Sequence, residues 1–163
     1  MIDLLATIVQ YSLGLGYLGA FILGFFSTFT LFLPSPSFVG VAALSLTHIY
    51  NPFLLGIFGG LGATIGEMIG YLTGYGGDVL LRKKYEKEIK NIEKYFQKHG
   101  GFLIIFVASA APVFPFDVVG IFCGVVGYPF KKFFLATLIG KVIKYIVLAY
   151  MGFYGIELLH LLT

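Results

Sequence analysis

Three charged residues stand where charge is expensive. Glu67, Lys141 and Lys144 each lie near the middle of a long apolar stretch. A charge at mid-bilayer costs several kcal/mol, from about 2.5 upward, so such a group must face protein or water. An acid and two bases so placed can form a polar path or hold a headgroup. The competing reading is a structural ion pair that locks two helices together. Lys141 and Lys144 are three residues apart and share a helix face. Asp117 follows a proline break, where a carboxylate can cap the free N–H groups of a starting helix. The positive end of that half-helix would favour an anionic group. The first-half counterpart of this cap is Ser35 or Ser37.

Other residues offer weaker chemistry. Arg82, Lys83, Lys84 and Lys87 open a basic run that would attract anionic headgroups, at about 1 kcal/mol per residue near a membrane surface. The plainer reading of that run is a topology signal on a solvated face. Gly62, Gly66, Gly70 and Gly74 form a stripe of every fourth residue, which lets helices approach closely in lipid. His48, His99 and His160 are isolated, so no metal site is expected. No Cys/His cluster, nucleotide loop or nucleophile motif is present, so neither an enzyme nor a cofactor is expected. An intramembrane lipid enzyme built on Glu67 and Asp117 is the remaining enzymatic reading.

The elements that must carry these residues are apolar. The apolar set makes up 58% of the 163 residues and charge only 12%, against about 25% charge in soluble domains. Between Ser27 and Tyr71 the ionisable groups are His48, Tyr50, Glu67 and Tyr71 alone. No water-facing surface can be built from that. The chain therefore reads as a single all-α polytopic integral membrane domain. A net charge of +3 is too small to suggest nucleic acid. Cys123, the one cysteine, allows no internal disulfide. Residues 1–26 lack a positive start and read as retained.

Along the chain, residues 1–13 suit an interfacial helix. Repeat 1 covers 14–76: an apolar arm, a break at Pro34-Ser35-Pro36-Ser37, a second arm, a lone Pro52 and a span over Phe53–Tyr75 closed by Gly76-Gly77-Asp78. Residues 78–100 are polar, with Ile89, Ile92, Tyr95 and Phe96 at helical spacing, which predicts an amphipathic helix on the membrane surface. Repeat 2 covers 101–155: an arm, a break over 112–117 with Pro112 and Pro115, a second arm, a lone Pro129 and a span from about Phe130 to Tyr154. Ile65-Gly66-Glu67-Met68-Ile69-Gly70-Tyr71 parallels Ile139-Gly140-Lys141-Val142-Ile143-Lys144-Tyr145. Arms this short read as re-entrant hairpins. One hairpin plus one span is an odd number of crossings, so the second repeat must be inverted, as in transporters. Nine of the eleven basic residues lie at 82–98 or at Lys131-Lys132. The positive-inside bias places 78–101 and 131–132 in the cytoplasm of a multi-pass cell-membrane protein.

The chain from Phe25 to Gly155 resembles the DedA superfamily, the VTT or SNARE-associated membrane proteins, in its YqaA-like and TVP38-like branches. The resemblance rests on Leu33-Pro34-Ser35-Pro36-Ser37, Gly74-Tyr75-Gly76, His99-Gly100-Gly101, Pro112-Val113-Phe114-Pro115-Phe116, Gly124, Phe133, Gly140 and Lys144. It implies two opposed re-entrant hairpins and lipid movement, either of phospholipids or of polyprenyl-phosphate carriers. Two positions depart from the family pattern. Phe38 stands where an acidic residue often follows the first proline pair, and Ala108, Ser109 and Ala110 stand where many members have an arginine. Both are tied to proton or phosphate handling in relatives.

The function expected from this is a lipid transporter, scramblase or flippase with membrane lipids as partners. Its path would be built from Glu67, Asp117, Lys141, Lys144, Pro34, Pro36, Ser37, Pro112 and Pro115. The alternative is a proton- or ion-coupled carrier of a small solute; a membrane scaffold is a weaker third reading, and a homo-oligomer is compatible with each. The proline breaks are expected to approach each other inside the membrane, and Glu67 and Lys141 to face one polar interior.

Overall fold

A computed structural model of the protein describes residues 11, 14–27, 36–98, 100–111 and 114–162. These residues form six helices and no strand: α1 (Tyr17–Phe26), α2 (Pro36–Leu46), α3 (Pro52–Lys98), α4 (Gly101–Ala110), α5 (Phe116–Val125) and α6 (Phe130–Leu162). The order is two short arms and a long helix, twice. The expected interfacial helix at 1–13 (Tyr11 apart), the start of the first break at Pro34 and the start of the second at Pro112 lie outside the described residues.

Local chemistry sets the ends of the long helices. Asn51 caps α3: its side-chain oxygen accepts from the Phe53 N–H at 2.9 Å, and Pro52 fills the first helical position, where a missing N–H costs nothing. Gly127, with φ +67, makes the left-handed turn that ends α5, and the Tyr128 N–H donates back to the Cys123 carbonyl at 2.9 Å. Pro129 then starts α6.

Within α3 and α6, Pro52–Gly77 and Phe130–Gly155 are long and apolar enough to cross a membrane. Their 26 residues each rise about 39 Å. Leu135, Ile139, Ile143, Val147, Met151 and Tyr154 are all exposed and form one ridge of α6. That ridge is about 28 Å long, close to a hydrocarbon core, and water is a poor solvent for it. Phe58, Ile65, Ile69, Leu72 and Tyr75 make the same kind of ridge on α3.

The chain divides into two compact units, and both long helices belong partly to each. The first unit holds α1, α2, α3 as far as Gly66 and α6 from Lys141. Its core is Ala20, Leu23, Val41, Leu44, Leu55, Ala63, Tyr145 and Ala149. Here α1 crosses α3 so closely that a Cβ on Gly62 would enter the Phe21 carbonyl. Helix α2 packs on α6 instead, and Ser45 Oγ donates to the Ala149 carbonyl at 2.6 Å. Helices α3 and α6 run antiparallel in this unit, since Gly56 meets Ile146 and Gly60 meets Val142.

The second unit, Glu67–Gly140, repeats the plan with the long helices exchanged. Helix α4 packs on α6, where Ser109 Oγ donates to the Ala136 carbonyl at 3.3 Å. Helix α5 packs on α3, where a Cβ on Gly74 would enter the Ile121 carbonyl and one on Gly124 the Tyr71 carbonyl. The core is Met68, Tyr71, Ile105, Phe116, Cys123, Val126, Tyr128, Phe133 and Ala136.

The helix outlasts the span. The membrane-crossing stretch ends at Gly77, as Gly76-Gly77-Asp78 led us to expect, but the helix itself runs on to Lys98. It is nevertheless sharply bent. The Tyr71 hydroxyl donates to the Tyr128 carbonyl at 2.6 Å, and the Phe96 ring lies 5.4 Å from the Tyr128 ring. Both residues of α3 therefore touch Tyr128. Side-chain reach limits their Cα separation to roughly 25 Å, whereas a straight helix would hold them about 37 Å apart. Gly76 and Gly77, with nothing within 4 Å of their Cβ positions, are the weakest point of the intervening ladder. The polar segment is thus a folded-back continuation of the span, where a separate helix was expected.

Candidate functional site

The charged residues fall in different units, and each is described in its own. In the second unit Glu67 is 2% exposed. Its carboxylate lies beside Gly120 of α5, where an added Cβ would sit 3.7 Å from Oε2. The same Cβ would be 3.6 Å from the Glu67 carbonyl and the Tyr71 N–H. Helix α5 therefore rides along the Glu67–Tyr71 turn of α3 at ordinary contact distance. Asp117 is half-buried one turn earlier on α5.

Asp117 does not stand at the cap. Helix α5 begins at Phe116, Pro115 is the capping residue, and no side chain caps it. The rigid ring of Pro115 sets the entry of the helix, which displaces Asp117 to the second helical position. There its charge still lies in the first turn, where the helix dipole favours an anion. Ser37 takes the matching position in α2, second after Pro36; Ser35 lies outside the described residues.

Tyr71 fixes the floor of this region. Its ring stacks on Phe133 at 5.0 Å, and Phe133 stacks on Phe116 at 6.1 Å. Thr137 lies one turn beyond Phe133 on α6, and Glu67 one turn before Tyr71 on α3. The Thr137 side chain is fully buried, and its hydroxyl finds no hydrogen-bond partner among the described residues. Thr64 and Thr73 behave differently: each donates to the carbonyl four residues back at 2.7 Å. A buried hydroxyl without a partner costs about 1–3 kcal/mol. Nothing in the sequence around Thr137 marks it out.

In the first unit Lys141 is 6% exposed and Lys144 half-buried. Tyr145 follows on the same helix. Its ring covers Gly59, where an added Cβ would come within 2.7 Å, and its hydroxyl donates to Ser27 Oγ at 3.1 Å. Ser27 in turn donates to the Gly24 carbonyl at 2.6 Å. Tyr71 and Tyr145 close the aligned Ile-Gly segments of the two repeats, so the signal for both was in the sequence.

The glycine stripe divides between the units. Gly62 meets α1, and Gly74 meets α5 at carbonyl distance; Gly70 is looser, with the Asp117 carbonyl 3.7 Å from its Cβ position. Of the basic residues, Lys87 is exposed, and so are Lys90, Lys94, Lys98, Lys131 and Lys132. The side chains of Arg82, Lys83 and Lys84 lie outside what the structure describes.

Residues 33–154 match the VTT domain. An uncharacterized protein of Methanocaldococcus jannaschii is 27% identical over 132 residues, covering 80% of this chain and 79% of that one. The vacuole membrane protein KMS1 of Arabidopsis thaliana is 50% identical over 46 residues, 28% of this chain and 11% of KMS1. Its relative KMS2 is 32% identical over 103 residues, 53% of this chain and 25% of KMS2. The chain thus matches a quarter or less of the two plant proteins. No solved structure matches.

Proposed function

The chain belongs to the VTT-domain family, and from that premise we propose that it is a multi-pass membrane transporter that moves lipid across the bilayer. The observation that carries the reading is the burial of Glu67, 2% exposed in the middle of an apolar span, beside the short helix α5. A charge so costly to bury is kept where it serves a polar path.

Three features support the architecture this requires. The arms α1, α2, α4 and α5 have 10 or 11 residues. Each rises about 15 Å, half a hydrocarbon core, which suits a hairpin that enters and leaves on one face. The antiparallel crossing of α3 and α6 suits inverted repeats. The exposed ridges of both long helices suit direct contact with lipid. In this reading the path runs along the hairpin breaks and the charges Glu67, Asp117, Lys141 and Lys144. Residues 78–101 and Lys131-Lys132 face the cytoplasm of the cell membrane, by the positive-inside bias.

The substrate class is a phospholipid or a polyprenyl phosphate. Phe38 and Ala108–Ala110, at positions where relatives often carry charge, direct attention to Glu67 and the two mid-span lysines as the polar groups available. The test is reconstitution of the purified protein into vesicles carrying a fluorescent phospholipid in both leaflets. A membrane-impermeant quencher should bleach about half of the label in empty vesicles and nearly all of it when the protein equilibrates the leaflets. Half-bleaching with protein present, together with proton-driven uptake of a small solute, would favour the coupled carrier instead.

A further inference from the structure

The bend in α3 has a consequence for charge. At 100° per residue Lys87, Lys90, Lys94 and Lys98 fall within an arc of roughly 80°, and Phe96 points the opposite way. All four lysines are exposed, and Phe96 is half-buried. Phe96 packs on Tyr128 at 5.4 Å and on Phe122 at 5.9 Å, both edge to face. Phe96 is therefore taken up by the end of α5 and the turn before α6, and the four exposed lysines lie on the opposite side of the helix.

The docking also fixes depth. Tyr128 stands two residues before Phe130, where the second membrane-crossing stretch begins. A straight α3 would carry Lys98 about 32 Å beyond Gly77, far into water. The fold-back instead holds the lysine face level with the end of a span. Lys131 and Lys132, also exposed, follow within a turn of Tyr128. Lys94 and Lys98, which flank Phe96, thus share the Tyr128 end of the second unit with them, and Lys87 and Lys90 continue the same face away from it. An ammonium there lies within a Debye length of the anionic surface, about 8 Å at physiological salt.

We propose that the outward face of the folded-back segment, Lys87, Lys90, Lys94 and Lys98, together with Lys131 and Lys132, binds the anionic headgroups of the bilayer's own phospholipids. Charge complementarity and depth select this occupant. The inference rests on the membrane placement of the two spans and not on lipid movement. Its role is to seat the second unit in a charged leaflet.

The test places the full-length protein in nanodiscs of phosphatidylcholine with a trace of spin-labelled phosphatidylglycerol or spin-labelled phosphatidylcholine. The motionally restricted fraction of each label reads contact with the protein. The wild type should prefer phosphatidylglycerol by on the order of twofold or more. The preference should vanish in 1 M salt, where the Debye length falls to about 3 Å. It should fall by at least half in the triple variant Lys87→Gln, Lys94→Gln, Lys98→Gln, and persist in the matching triple arginine variant, which keeps charge and reports on folding. Equal restriction of both lipids by the wild type would overturn the proposal. So would a preference that the glutamine variant leaves undiminished. Capture of soluble polyglutamate by the lysine face without any lipid preference would assign it to an acidic soluble partner and overturn the proposal too. Leaflet equilibration measured on the same variants separates this outcome from the transport reading, since loss of lipid preference with intact equilibration removes only the headgroup surface.

Discussion

The two units are assembled from equivalent parts, yet their helix crossings are filled differently. In the first, α3 and α6 meet through Gly56, Gly59 and Gly60, and the Tyr145 ring lies over a bare backbone. In the second, the corresponding tyrosine, Tyr71, stacks on Phe133 and also touches Phe130 at 5.4 Å. One crossing is tight because small residues let backbones approach; the other is filled by stacked rings. The tyrosine hydroxyls diverge as well. Tyr145 reaches Ser27 at the end of α1, while Tyr71 reaches the Tyr128 carbonyl at the turn before α6. A repeated sequence order thus does not impose repeated packing. The charges follow the same division: the buried acid and nine basic residues lie in the second unit, and Lys141 and Lys144 in the first.

The largest effect should come from breaking the tight crossing. A side chain on Gly60 would enter the Val142 backbone, with 2.6 Å to its Cα. Gly60→Leu should leave no monodisperse protein in detergent, a loss of more than about 3 kcal/mol. Gly70→Ala, on the looser part of α3, should change Tm by less than the equivalent of about 0.5 kcal/mol. Equal damage from both would mean that the glycines do not set the crossing.

The tyrosines sharpen the comparison at smaller scale. Tyr71→Phe strands a buried carbonyl and should lower stability by about 1–3 kcal/mol in thermal unfolding. Tyr145→Phe removes a bond to a hydroxyl that keeps another partner, and should cost about 0.5–1 kcal/mol. Reversal of that order would show that the two units are not anchored as described.

Thr137→Val should have the smallest effect on folding. It removes a buried hydroxyl that has no partner among the described residues, so Tm should hold or rise, whereas Thr64→Val loses a 2.7 Å bond and should fall slightly. If Thr137→Val also slows lipid movement while Tm holds, the hydroxyl serves the path.

Much of the fold was legible because it depends on local chemistry. Prolines and glycines at 127–129 mark where backbone hydrogen bonding must stop, and runs of apolar residues near 26 long mark the spans. The bend of α3 was half legible. Gly76-Gly77 signalled a weak point, but whether a helix ends or bends there depends on Phe96 finding Tyr128 and Phe122, contacts remote in sequence. The exchange of arms was not legible at all. Nothing near Ser45 indicates that its hydroxyl will meet Ala149, because order along the chain does not name the packing partner. Of the candidate site, Glu67 and Lys141 could be picked out because buried charge in an apolar run is conspicuous. Asp117 falls two positions past the cap because Pro115, itself unable to cap through a side chain, takes that place. Thr137 was missed because a threonine in an apolar helix looks like any other until its neighbours are known.

Glu67 is proposed to serve lipid movement, and one measurement tests this role directly. Leaflet equilibration of a fluorescent phospholipid is compared for wild type and Glu67→Gln in the same vesicles, with Tm measured in parallel. The wild type should equilibrate the leaflets. Glu67→Gln should do so at least about tenfold more slowly, a barrier increase of about 1.4 kcal/mol or more, with Tm close to wild type. A variant that melts early yet equilibrates normally while folded would make Glu67 a structural charge, and wild-type vesicles no faster than empty ones would contradict the account outright.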